Sequence, residues 1–151
     1  MFANRVLALL AAAWFGAYLL AGYGAAPLLF QSLPKEQAGN LAGVLFSAVN
    51  YIGLFVWAIL YLAGLSAQKR SYGQRSKLSS RTVALTWLLL AVSQFALVPL
   101  IRALRSGQTH WLSNLLGGEL SFWHSMSSSL YVLISLLGLF LIMRLLRFEW
   151  Q

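Results

Sequence analysis

Charge is absent from four long blocks of this chain. Residues 6–34, 37–68, 82–101 and 120–143 hold no Asp, Glu, Lys or Arg, so all eleven basic and three acidic residues lie between or beyond them. A hydrocarbon core of about 30 Å is crossed by roughly 20 apolar residues in a helix. All four blocks are long enough. They predict helices over about 5–31, 35–67, 80–105 and 119–147, in an all-α, antiparallel four-helix transmembrane bundle that uses 1–151 as one domain. The first block outruns the apolar region of a secretory signal, which is about 7–15 residues long, so it is read as a retained helix.

The connections fit this reading. Ser32-Leu33-Pro34-Lys35-Glu36 is short enough to force a hairpin. Pro34 suits a first helical turn, and Glu36 suits the positive end of the second helix. Gln68 to Ser80 is rich in Ser, Gly and cations and reads as a solvated loop. Ser106 to Gly118 carries Trp111, Leu112, Leu115 and Leu116 and predicts a short helix lying in the membrane interface.

Composition sharpens the picture. A mean hydropathy of +0.73 excludes an ordinary soluble domain. The net charge of +8 would suggest nucleic acid in a soluble protein. Here the cations flank apolar spans, which points to lipid headgroups and topology and away from nucleic acid. With both termini on one side, Arg5, Lys69, Arg70, Arg75, Lys77, Arg81, Arg144 and Arg147 share it, against Lys35, Arg102 and Arg105 opposite. That excess places both termini in the cytoplasm. The chain has no cysteine, which removes disulfides, thiol chemistry and cysteine metal sites.

Candidate chemistry lies among the polar residues inside the spans. Asn50 and Gln94, beside Ser93, fall at similar depth and can pair as glue between helices or line a path for a small solute. The fourth helix carries Ser121, His124, Ser125, Ser127, Ser128, Ser129 and Tyr131. Ser121, His124 (or Ser125), Ser128 and Tyr131 share a face by helical spacing. This face can serve close packing with hydroxyls bonding across helices, a ligand groove, or a metal or haem ligand at His124. Zinc needs three or four protein ligands, and no acidic residue is placed to orient His124 for a Ser–His pair. No metal, cofactor or catalytic residue is therefore expected. Arg102 and Glu119 are placed to pair at the outer face.

Small residues form rows at Ala13, Ala17 and Ala21 and at Gly39, Gly43 and Ser47, suggesting a tight first hairpin or, at Gly39 and Gly43, a homodimer contact. Trp123 and Trp150 read as interfacial anchors, whereas Trp14, Trp57 and Trp87 read as deeper packing or lipid-facing groups. Pro27 and Pro99 are expected to kink or end their helices and flare the outer side of the bundle. The flare predicts a shallow outer cavity that Tyr23, Gln94, His124 and Ser128 line, with Asn50 among the candidate ligand-binding residues.

Trp14-Phe15-Gly16, Ala26-Pro27-Leu28-Leu29-Phe30, Leu33-Pro34, Ala38-Gly39 with Ala42-Gly43 and Leu45-Phe46, and Phe122-Trp123-His124-Ser125-Met126-Ser127-Ser128 occur in this order. In these residues the chain resembles the transmembrane protein 205-like family of small four-helix membrane proteins, in its bacterial branch. More loosely, it is similar to the copper-resistance CopD-like membrane fold. The resemblance implies an antiparallel bundle in the bacterial inner membrane and no settled reaction. The family's asparagine seven residues after the histidine is Tyr131 here. The expected role is that of a non-enzymatic accessory or assembly factor, or a binder of a small ligand or lipid, with membrane lipids and a membrane protein or second copy as partners. The alternatives are a transporter or channel component acting as an oligomer and, further off, a haem- or metal-binding membrane protein.

Overall fold

The computed structural model describes the backbone over residues 2–70 and 80–146, and side chains over 5–65 and 81–145. Residues 71–79, most of the expected middle loop, lie outside the described residues, as do Arg147 and Trp150. No strand occurs among the described residues. Four helical stretches are long and apolar enough to cross a membrane, Arg5–Ser32, Lys35–Leu65, Arg81–Arg105 and Leu120–Leu145, called here the first to fourth spans. A short helix, Trp111–Leu116, sits in the connection between the third and fourth.

Each span packs against its neighbours in sequence, and the first packs against the fourth, so the bundle is a four-membered ring. Leu33 is extended, as the residue before a proline must be. Pro34 then offers its carbonyl to the Ala38 N–H at 2.9 Å, opening the second span. The chain therefore reverses within two residues.

The first and third spans each contain one widened, π-helical turn, Leu20–Ala25 and Ser93–Leu97. Both lie just before a proline. Pro27 and Pro99 have no N–H to donate, and their rings crowd the carbonyls of Tyr23 and Phe95 four residues back. The turn relieves this by bonding one residue further along, with the N–H of Ala26 reaching Ala21 and that of Val98 reaching Ser93. Both helices continue beyond the bulge, as Ala26–Ser32 and Val98–Arg105. The prolines distort their helices without ending them.

The buried face of the first span runs Ala11, Trp14, Tyr18, Ala21 and then Ala26. The last step is five residues, because the bulge adds one position. Ala13 and Ala17 are exposed, so the expected Ala13–Ala17–Ala21 packing row is corrected; Trp14 and Tyr18 occupy the seam instead. Trp14 donates from Nε1 to the Val49 carbonyl at 2.8 Å, a route that Gly53 leaves open by lacking a Cβ. Trp87 donates in the same way to Leu54 at 3.0 Å. Two spans thus anchor indoles on the backbone of the second. Their burial otherwise differs: Trp14 and Trp57 are core, and Trp87 is exposed.

One apolar cluster fills the half of the bundle around Trp14, Trp57, Leu90 and Leu141. A second, smaller cluster of Leu97, Leu100 and Trp123 joins only the third and fourth spans at the other end. Trp123 is accordingly buried, with its Nε1 on the Gly117 carbonyl at 3.1 Å, and is a clasp for the loop where an interfacial anchor was expected. At that same end the first two spans pack through Ala26, Ala38 and Ala42. The bundle therefore divides there into two pairs of helices.

Candidate functional site

Between the two pairs lies an open cavity of about 670 Å³ to which all four spans contribute. Its deep end is closed on two sides. On one, the Asn50 amide donates to Ser93 Oγ at 3.2 Å and Gln94 Oε1 at 3.3 Å. The expected Asn50–Gln94 pair is therefore present. The widened turn explains why Ser93 joins it, since a looser helix lets two successive side chains face the same partner. Asn50 is only 2 % exposed, so an unmade bond here would be costly.

On the other side stands Tyr131. Its ring stacks on Tyr18 at 4.1 Å and meets Phe46 and Tyr23 edge-on at 5.4 and 5.8 Å. Its hydroxyl donates to the Tyr18 carbonyl, next to the first bulge, where the regular bonding ladder gives way. A Cβ on Gly22 would overlap the Tyr131 ring, so this glycine is what admits the aromatic. The two polar clasps join the second span to the third and the fourth to the first. Between Trp123 and Ile134 the fourth span has no buried residue, and this is the stretch that faces the cavity.

The upper walls combine apolar and polar groups. Pro27, Phe30 and Val44 contribute apolar surface, and all three are exposed. Tyr23 is 56 % exposed on the same rim. His124, Ser127 and Ser128 enter from the fourth span, and Asn40 from the second. Of the five candidate ligand residues, Tyr23, Asn50, His124 and Ser128 line the cavity. Gln94 does not reach its wall and is placed behind Asn50 as that residue's partner.

The serines correct a second expectation. Ser125, Ser128, Ser129 and Ser135 each donate to the carbonyl four residues back, on Ser121, His124, Ser125 and Tyr131, at 2.9 to 3.0 Å. These hydroxyls satisfy themselves on their own helix and do not bond across to another. Ser121, Ser125 and Ser129 are exposed and stand outside the cavity, so of the expected face only His124, Ser128 and Tyr131 line it, joined by Ser127. Among the described residues no three His, Asp or Glu side chains converge in the way a metal ion requires.

Sequence reasoning missed the arginines. Arg102 and Arg105, in the last turn of Val98–Arg105, both line the cavity. Arg105 is half-buried, and its guanidinium lies against Gly39, where a Cβ would come within 2.6 Å of Nη1. Gly39 and Gly43 therefore face into the cavity. The first makes room for a cation, and the second has nothing within 4 Å of where its Cβ would be. Within the chain, then, these two glycines line the cavity, and the tight seam of the first hairpin is made by Ala26, Ala38 and Ala42 instead. The expected Arg102–Glu119 pair is not formed, and among the described residues neither arginine has an ion-pair partner. The only available signal was the three-residue spacing of the two arginines beyond Pro99.

The connection above the cavity is ordered by a cap. His110 Nδ1 accepts from the Leu112 N–H at 3.3 Å, while Ser113 Oγ accepts from the His110 N–H at 3.3 Å. The short helix this starts leaves Trp111, Leu115 and Leu116 exposed.

A family described as Domain of unknown function (DUF4149) matches residues 9–110, and the chain belongs to it. That region holds the first span from residue 9 onward, the second and third spans, both bulges and both arginines. No curated protein and no solved structure matches the chain.

Proposed function

We propose that this member of the DUF4149 family is a non-enzymatic, multi-pass protein of the bacterial inner membrane, with cytoplasmic termini, that binds a small amphiphile or lipid in the cavity between its helix pairs. One observation carries the reading: a cavity of about 670 Å³ has a polar floor at Asn50, polar walls and an exposed apolar rim. A polar floor alone would suit a solute, and an apolar rim alone would suit packing. Their combination suits a ligand with both characters. The bundle would act as an accessory or assembly factor that presents or shelters such a molecule.

The exposed Trp111, Leu115 and Leu116 support an interfacial position for the short helix beside the mouth. The likeness to transmembrane protein 205-like proteins, and more loosely to the CopD-like fold, belongs to the same reading. Pro27, Gly39 and His124, from three of the resembling motifs, lie around the one cavity.

The test uses Gly43, which lines the cavity with open space beyond it. Gly43→Leu should project an apolar side chain into the cavity, where a Cβ meets nothing within 4 Å. Binding of the neutral fluorescent amphiphile N-phenylnaphthylamine to the purified protein in detergent should weaken by about tenfold, the scale of 1–2 kcal/mol of lost apolar contact. Unchanged binding would overturn the proposal.

A further inference from the structure

The two arginines at the cavity mouth pose a separate question: Arg102 is exposed, but Arg105 is half-buried, and burying a cation partway without a counter-charge is unfavourable. Arg105 is half-buried and held over Gly39, while Arg102 stands one turn back on the same wall. Glu36 opens the second span and Glu119 precedes the fourth, yet among the described residues neither forms an ion pair with them. Both cations complement the C-terminal end of their own helix, which accounts for their sign but not for their placement at a cavity.

We propose that Arg102 and Arg105 bind a phosphate ester at the mouth of the cavity, a ligand class that deepens the amphiphile-binding reading and rests on it. Two guanidinium groups offer two positive charges and ten N–H donors, and their planar forks match phosphoryl oxygens. His124 and the Asn40 amide stand on other walls of the same cavity and can donate further. Gly39 contributes by its missing side chain, since any Cβ there would displace the Arg105 guanidinium. A lipid supplying the ester would place its tail past Tyr23 and Phe30, where the rim is exposed. A soluble ester would use the same arginines and leave the rim empty.

The experiment compares lipids retained by the full-length protein after mild extraction from nanodiscs of equal phosphatidylglycerol and phosphatidylcholine, read by native mass spectrometry. Wild type should keep the anionic lipid over the zwitterionic one by about tenfold, and the double variant R102Q/R105Q should fall to about parity, on the scale expected for two arginines near a headgroup. Gly39→Ala, which removes no charge, should fall between the two. Unchanged helical circular dichroism and gel-filtration profile for R102Q/R105Q report that its fold is intact. Inorganic phosphate in millimolar excess separates the sources. Failure to displace the lipid assigns the site to a lipid head, whereas displacement keeps the anion site and assigns it to a soluble ester. Equal lipid ratios in wild type and R102Q/R105Q would overturn the phosphate proposal and leave the cavity reading standing. Retention that Gly43→Leu leaves untouched would bring down the cavity reading, and this one with it.

Discussion

Asn50 shows how a single polar residue is placed when hydrocarbon surrounds the fold. Its amide cannot bond to lipid and is almost wholly buried, so a partner at the same level is required. The neighbouring span supplies Ser93 and Gln94, and both bond to it. This pair is legible in the amino-acid order alone, because equal depth leaves few choices. Tyr131 is not, since a ring that fills the space over Gly22 depends on how two helices are rotated. Pairs of this kind contribute about 0.6 kcal/mol on average, whereas stranding one partner costs roughly 1–3 kcal/mol. Asn50→Leu and Gln94→Leu should each lower unfolding stability in a sodium dodecyl sulfate titration by more than that average. The double variant should lose less than the two single losses added together. Strict additivity would show that the bond contributes nothing to the fold.

At the scale of elements, the two widened turns decide which faces meet. Spacing along the first span predicts a seam that keeps its phase from end to end, and it does so only as far as Ala21. Beyond it the extra residue rotates everything by about one helical position, roughly 100°. That is why the four spans could be read from charge and length, while the wall formed by Arg102 and Arg105 could not. These arginines follow the second bulge, and counting residues assigned them to the membrane boundary without assigning them a face. The prolines maintain the bulges through ring clash and the missing N–H. Pro27→Ala restores the N–H and removes the clash, so the turn can close to regular α-helix and swing Ala26–Ser32 around its axis. Helical circular dichroism should stay unchanged while N-phenylnaphthylamine binding falls several-fold. Binding equal to wild type would show that the cavity holds its shape without the first bulge.

At the scale of the molecule, one end of the bundle is built for cohesion and the other for access. The large apolar cluster locks four spans together at one end. The split into two pairs leaves the other end open beside Arg102, Arg105 and the short helix. Which compartment the open end faces determines where its ligand comes from, and the basic residues carry that information. If both termini are cytoplasmic, as proposed from eight basic residues against three, the cavity opens away from the cytoplasm. A chain with no cysteine permits a direct test, because any introduced thiol is the sole reactive one. Gln108, exposed beyond Arg105, marks the cavity end, and Ser76 marks the middle connection. In intact cells a membrane-impermeant maleimide should label Gln108→Cys, and it should reach Ser76→Cys only after the membrane is permeabilised. The opposite pattern would turn the molecule over. The three cations of the cavity end would then face the cytoplasm, and any phosphate ester would have to arrive from the side where soluble metabolites and inner-leaflet lipids are found.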